Sequence, residues 1–239
     1  IESPRIPIIG VGEATTSLIV GLLHDILELD VREFYEEVQP TWKLGLRFWW
    51  GEPGPQFFDY PFGSLALQEY QDFPEDQTYL SLAALLMDRE KSFLVPDEDR
   101  PGMFRPLPEA ASYAYHLDVQ RFVDYLRKKA LEAGIERRIA EIQDVVCSTE
   151  GEVQYLLGSD GQKHSFDLYI DCSGFRSVIM GKALSSAYTS YEHYFLTDRA
   201  VVGPIQDCSQ VPFTTAITMK HGWSWRLPLH QEDHIGYVY

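Results

Sequence analysis

Gly10-Val-Gly-Glu-Ala-Thr15, followed directly by Ser17-Leu-Ile-Val-Gly-Leu-Leu-His-Asp-Ile-Leu-Glu-Leu29, is the stretch on which the fold turns. Leu18, Ile19, Leu22, Leu23, Ile26 and Leu27 recur at the spacing of one helical face, which predicts a helix with that face buried. Thr15 or Thr16 is placed to cap it. Two glycines just before a helix start let the backbone come close to a cofactor, and the first-turn amides then point at an anion or a polar oxygen. The same residues also read as an ordinary strand-to-helix turn capped by threonine.

Outward from this turn, Val31 to Val38 predicts a second helix, ended before Pro40 because proline cannot continue it. Thr41 to Phe48 alternates as a strand: Trp42, Leu44, Leu46 and Phe48 fall on one face, Lys43, Gly45 and Arg47 on the other. Residues 51–63 are rich in Gly, Pro and aromatics and predict a loop packed by its own rings. Residues 64–92 are helical in patches with a break at Pro74, and 96–108 predicts an irregular connection. Asp118 caps a helix from Val119 to Ala133 that stops at Gly134, with Phe122, Val123, Leu126 and Ala130 on its apolar face. Strands follow at 139–147 and 153–157, then a turn at 158–161. The apolar run Leu168-Tyr-Ile170 predicts a strand that delivers Asp171-Cys-Ser-Gly174 at its carboxyl end, where α/β sheets bind ligands.

Composition narrows the function. With 239 residues, 45% hydrophobic and 13% aromatic, the chain is long and apolar enough for a sizeable core. Its 36 acidic against 20 basic residues give a net charge of −16, which argues against nucleic acid as a partner. No apolar run approaches the roughly 20 residues of a membrane helix, and no signal-like N-terminus is present, so a cytoplasmic protein without membrane attachment is expected. Cys147, Cys172 and Cys208 lack the spacing of a disulfide framework or zinc site and read as buried or idle thiols. His221, His230 and His234 lack an HExxH pattern, so no metal is expected.

Several residues carry possible chemistry. Glu2 is placed like the acidic residue that holds the ribose hydroxyls in a dinucleotide-binding βαβ unit. No G-x-G-x-x-G accompanies it, and the chain is expected to be a middle piece, cut before Ile1 and again in mid-sheet after Ile235 to Tyr239. Asp171 can accept from a hydroxyl, and Gly174 removes a Cβ that would block approach. Lys43 on a strand's polar face reads as a solvated charge on its own. Trp223 and Trp225, two apart, point to one side of a strand and read as sheet packing.

GVGEAT (10 to 15), PTWKLGLRF (40 to 48), AYHLD (114 to 118), DCSGFRS (171 to 177) and GWSWRLP (222 to 228), in this order along nearly the whole chain, resemble the flavin-dependent halogenases. The resemblance implies an α/β fold of the FAD-binding, Rossmann-like, flavin-monooxygenase type, one domain over 1–239 with a substrate-side region at 40–112. It implies FAD as cofactor, delivered reduced by a transient flavin reductase partner, with halide and oxygen as co-substrates and a small aromatic substrate. Gly12, Glu13, Ala14 and Thr15 would line the flavin, Ile142 would lie beside the adenine, and Asp171, Ser173 and Gly174 would meet the ribityl side.

In that family a lysine at the position of Lys43 holds hypohalous acid by hydrogen bond or as a haloamine, which requires a primary amine or its ammonium form, with a pKa that burial can lower. The family's W-x-W-x-I-P appears here with Leu227 for Ile, and Trp223 and Trp225 would flank the passage from flavin to substrate. His116 is expected to be structural, at the helix entry. The stretch from Lys43 to His116 looks shorter than in tryptophan-specific members, so free tryptophan is not the first expectation, and a phenol, an indole or another activated aromatic is equally open. An aromatic hydroxylase on the same fold and a non-catalytic fragment are the competing readings.

Overall fold

The computed structural model describes residues 1–10, 12–52, 56–63, 81–96, 104–106 and 112–239, with only the backbone described at 94–96 and 104–106. The predicted helical patches and the Pro74 break at 64–80 lie outside the described residues, as do 97–103 and 107–111. Two compact units emerge: 1–9 with 128–195, and 10–127 with 196–239.

The larger unit holds a three-stranded antiparallel sheet in which β7 (Ala114–Leu117) lies between β1 (Glu13–Ala14) and β2 (Thr41–Lys43). After Leu44 the chain leaves that sheet. As β3 (Gly45–Trp49) it joins a six-stranded one containing β4 (Phe58–Pro61), β12 (Phe213–Met219), β13 (Gly222–Pro228), β14 (Asp233–Val238) and β11 (Ala200–Ile205). The predicted strand 41–48 is therefore two strands in two sheets. The break is held by Leu44, whose amide donates to the Pro212 carbonyl and whose carbonyl accepts from Phe62.

Helix α2 (Val31–Val38) forms as expected, capped by Asp30, whose carboxylate accepts from the Glu33 amide. It buries Phe34 and Val38 against Tyr115, Leu117 and Tyr125. Helix α4 (Val119–Glu132) starts where Asp118 accepts from the Arg121 amide and stops before Gly134 at φ +80°. Its most buried residue is Tyr125, with Phe122 and Leu126 packed beside it.

Other expectations need correction. The helix predicted over Ser17 to Leu29 is one α-turn, α1 (Leu18–Gly21), continued by a π-helical turn (Leu22–Ile26). The wider winding dissolves the predicted face: Leu23 is buried, whereas Leu18 is 82% and Ile26 73% exposed. Neither Thr15 nor Thr16 caps it through a side chain, since Ser17 is the N-cap residue and makes no capping bond. Within the predicted loop 51–63, Phe58–Pro61 is strand β4, because pairing with β3 satisfies its backbone. Leu94–Pro96 (β5) and Phe104–Pro106 (β6) pair antiparallel within the predicted irregular connection.

Helix α3 (Leu82–Asp88), capped by the Ser81 hydroxyl, covers the Gly45 and Arg47 side of β3. Gly45 is required there, since a Cβ would lie 2.3 Å from the Tyr60 carbonyl oxygen and 2.8 Å from the Met87 sulfur.

In the smaller unit, β8 (Ile142–Cys147), β9 (Val153–Gly158) and β10 (Lys163–His164) form an antiparallel meander. Leu168 to Ile170 is not a strand; Leu168 and Ile170 are more than three-quarters exposed, leaving Asp171 in an irregular segment. The three cysteines are free thiols and none is fully buried. Among the described residues, no helix is long and apolar enough to cross a membrane.

Candidate active site

The centre of the larger unit's candidate site is Lys43, at the end of β2. Its side chain is 4% exposed, against the sequence expectation for a lone strand lysine. The amine donates to the Thr15 carbonyl at 3.0 Å and lies 5.3 Å from the centre of the Phe62 ring. Among the described residues no carboxylate pairs with it, so burial is uncompensated and pulls its pKa down to about 8. Arg47, on the same polar face, is committed elsewhere. Its guanidinium makes a two-pronged bond to Asp59 at 2.8 and 3.0 Å, donates to the Met87 carbonyl and lies between the rings of Phe57 and Phe213.

Strand β7 is what brings distant motifs together. His116 pairs with Ala14 on one side and Thr41 on the other, so the GVGEAT turn and the lysine strand share one neighbour. Thr15 is locked to that strand: its amide and hydroxyl both donate to the Tyr115 carbonyl, and its hydroxyl accepts from the Tyr115 amide. Glu13 and Ala14 are exposed on β1, an edge strand among the described residues, where main-chain polar groups are available to a ligand. Partial desolvation holds the Glu13 carboxyl above its ordinary value. Gly12 is set by the protein's own packing: its φ is +75°, and a Cβ would lie 3.1 Å from Leu227 and 3.2 Å from His234.

Trp223 and Trp225 share one face of β13, ring centres 5.7 Å apart, with Trp50 6.3 Å from Trp223. The Trp225 indole lies across Gly236, where a Cβ would fall 2.0 Å from the ring. Gly236 and the hydroxyls of Thr41 and Thr214 were not singled out by sequence reasoning. Only cross-strand register reveals them.

In the smaller unit Glu2, Ile142, Asp171 and Ser173 line a cleft of about 560 Å³, whereas Gly174 is not among the residues lining it. Ile6, Ile142, Leu156 and Ile179 supply apolar wall, and Glu2 and Asp171 supply carboxylates. Glu2 sits beside Ile139 in a parallel bridge and accepts from Arg137 at 2.6 Å. Asp171 is already saturated: it accepts from the amide and hydroxyl of Ser173 and from the amides of Ile179 and Met180. Those bonds hold its pKa down to about 2. It thus organises its own loop, ahead of the π-helical turn Val178–Ala183, more than it offers lone pairs to a ligand. Gly174, at φ +61°, has open space where a Cβ would stand. Apolar walls with a rim carboxylate fit a nucleoside: the walls would take a planar base, and Glu2 would accept from ribose hydroxyls.

Over residues 1–239 the chain matches the tryptophan halogenase family. It is 31% identical over 268 residues to tryptophan 7-halogenase KtzQ of Kutzneria sp. (strain 744) and 29% over 262 residues to tryptophan 7-halogenase RebH of Lentzea aerocolonigenes. Each match takes in 100% of this chain and 49% of the relative, so the chain spans about half the length of the curated relatives it matches. Among solved structures it is similar to MibH, a lanthipeptide tryptophan 5-halogenase, at TM-score 0.85 and 38% identity, covering 100% of this chain and 46% of that one. It is also similar to Xcc4156, a flavin-dependent halogenase from Xanthomonas campestris, at TM-score 0.85 and 26% identity, covering 100% and 49%. The α/β fold is accordingly the FAD-binding, Rossmann-like fold of these neighbours.

Proposed function

This chain belongs to the tryptophan halogenase family, and from that premise we propose that it carries the reactive lysine of an enzyme that halogenates an electron-rich aromatic ring using reduced FAD, oxygen and chloride or bromide. The observation that carries this reading is the buried amine of Lys43, held on the Thr15 carbonyl and without a carboxylate partner among the described residues. Reduced FAD, when bound, supplies with oxygen the oxidation that turns halide into hypohalous acid. In the smaller unit Glu2 and Ile142 would hold its adenosine part and Ser173 and Gly174 its ribityl side; in the larger unit, taken by itself, Gly12 through Thr15 are the residues the resemblance assigns to its ring.

Lys43 then acts in either protonation state. As ammonium it donates a hydrogen bond to the oxygen of hypohalous acid. As free amine its lone pair takes the halogen, the nitrogen loses a proton, and water leaves. At pH 7 a group with a pKa of about 8 is neutral in roughly one molecule in ten, far more than an ordinary lysine. Arg47 cannot substitute, because its guanidinium stays charged and is bonded to Asp59.

The substrate class follows from the relatives, whose names specify tryptophan and, for MibH, a lanthipeptide. An indole, free or within a peptide, is the ring we assign. A flavin reductase is the implied transient partner. The test supplies the protein that carries this sequence with FAD, a flavin reductase, NADH, oxygen and bromide. Indoles, tryptophan peptides and phenols are then followed by mass spectrometry for the protein and for Lys43→Ala. Brominated indole that disappears in Lys43→Ala is expected; hydroxylated product, or bromination that persists, would overturn the assignment.

A further inference from the structure

His116 is completely buried, and both ring nitrogens are bonded to hydroxyls: Nδ1 lies 3.1 Å from Thr41 Oγ1 and Nε2 lies 2.9 Å from Thr214 Oγ1. Proton counting fixes the directions. Thr41 has one hydroxyl proton, which it donates to the Pro228 carbonyl at 2.6 Å. It must therefore accept from His116, which makes Nδ1 the protonated nitrogen and Nε2 an acceptor for the Thr214 hydroxyl. The order is Thr214 to His116 to Thr41 to Pro228, every donor and acceptor matched once.

This relay joins the two sheets of the larger unit. Thr41 and His116 belong to the three-stranded sheet, Thr214 and Pro228 to the six-stranded one. Thr41 is two residues from Lys43 on β2, and Pro228 ends the strand that bears Trp223 and Trp225. We propose that His116 is a positioning residue for Lys43: through Thr41 and Thr214 it sets the strand that carries the amine against the strand that carries the tryptophan pair. Burial, reinforced by the charge of Lys43, keeps the imidazole neutral, so the relay has one protonation state in which all its bonds are made. This deepens the function proposed above and rests on Lys43 being its reactive group.

The test reads the amine itself. The Lys43 ¹³Cε resonance, assigned by its loss in Lys43→Arg, is titrated in the wild type, Thr214→Val and Thr214→Ser. Valine keeps the shape but leaves His116 Nε2 without its donor; serine restores the donor. The expected outcome is a midpoint in Thr214→Val moved at least half a pH unit toward the ordinary lysine value, as the loosened strand admits water. Thr214→Ser should stay with the wild type. A Thr214→Val protein that melts earlier with an unmoved midpoint would overturn the proposal, leaving His116 a purely structural link. So would a Thr214→Ser midpoint that moves as far as that of valine. Halogenation that survives Lys43→Ala would instead sink the proposed function and leave the positioning result standing.

Discussion

Lys43 Nζ and the carbonyl oxygen of Thr15 meet at 3.0 Å, although the residues stand 28 positions apart and belong to strand β2 and the glycine-containing turn respectively. The bond is possible because β7 pairs with both segments at once. It gives the buried ammonium one neutral acceptor and no counter-charge among the described residues, which makes the lysine costly to the fold.

That cost has a sign. Lys43 has a folded pKa of about 8 and an ordinary value of 10.5, so between those pH values the unfolded chain binds more protons and the contribution of this residue to stability rises with pH. The penalty present below pH 8 is about 3 kcal/mol as an order of magnitude. Lys43→Met should therefore stabilise the protein at pH 7 by about 1–3 kcal/mol in urea unfolding, with the gain shrinking at pH 10. Equal gains at both pH values would show that the amine is not desolvated.

Gly236→Ala should displace the Trp225 indole, since the added Cβ falls 2.0 Å from the ring. Overpacking of this kind costs about 1–3 kcal/mol. Combined with Trp225→Ala, the alanine at 236 should cost much less, and unfolding of the two single variants and the double variant measures that coupling.

Asp59→Asn should destabilise by about 3–5 kcal/mol, because it strips the counter-ion from a buried guanidinium. The Asp59 side chain is fully buried and that of Arg47 nearly so. Urea midpoints at pH 7 check this; a change below 1 kcal/mol would mean that Glu90, 3.9 Å from the guanidinium, suffices.

Asp171→Asn should lose about 1 kcal/mol, the usual worth of a capping side chain, because asparagine retains one acceptor where the loop uses two carboxylate oxygens. Asp171 has a folded pKa of about 2, below its ordinary 3.8, so its contribution is complete above pH 4 and fades as pH falls through 2. Hydrogen exchange at the amides of Ile179 and Met180 should quicken in the variant at pH 7 and differ little from wild type at pH 2.

Helices α2 and α4 were legible because their ends are local chemistry. Asp30 and Asp118 accept amides three residues on, and Gly134 takes a positive φ. Strand β13 was legible for a similar reason, since alternation places Trp223 and Trp225 on one face whatever lies opposite. The order of the motifs was enough to point to the family.

Alternation in 41–48 separated Lys43 and Arg47 from the apolar residues but could not say which face would be covered. That depends on α3 closing over Gly45 and Arg47, on the exchange of sheets at Leu44, and on β7 arriving from some 70 positions away between β1 and β2. Winding of the turn after Ser17 as α and π helix likewise exposed Leu18 and Ile26, which periodicity had placed inside. The caps of α2 and α4 and the shared face of Trp223 and Trp225 are set by neighbours within four residues, so the sequence alone determined them. Burial, register and the state of a proton are sums over distant partners, and only the tertiary structure decided that the strand lysine is a desolvated amine.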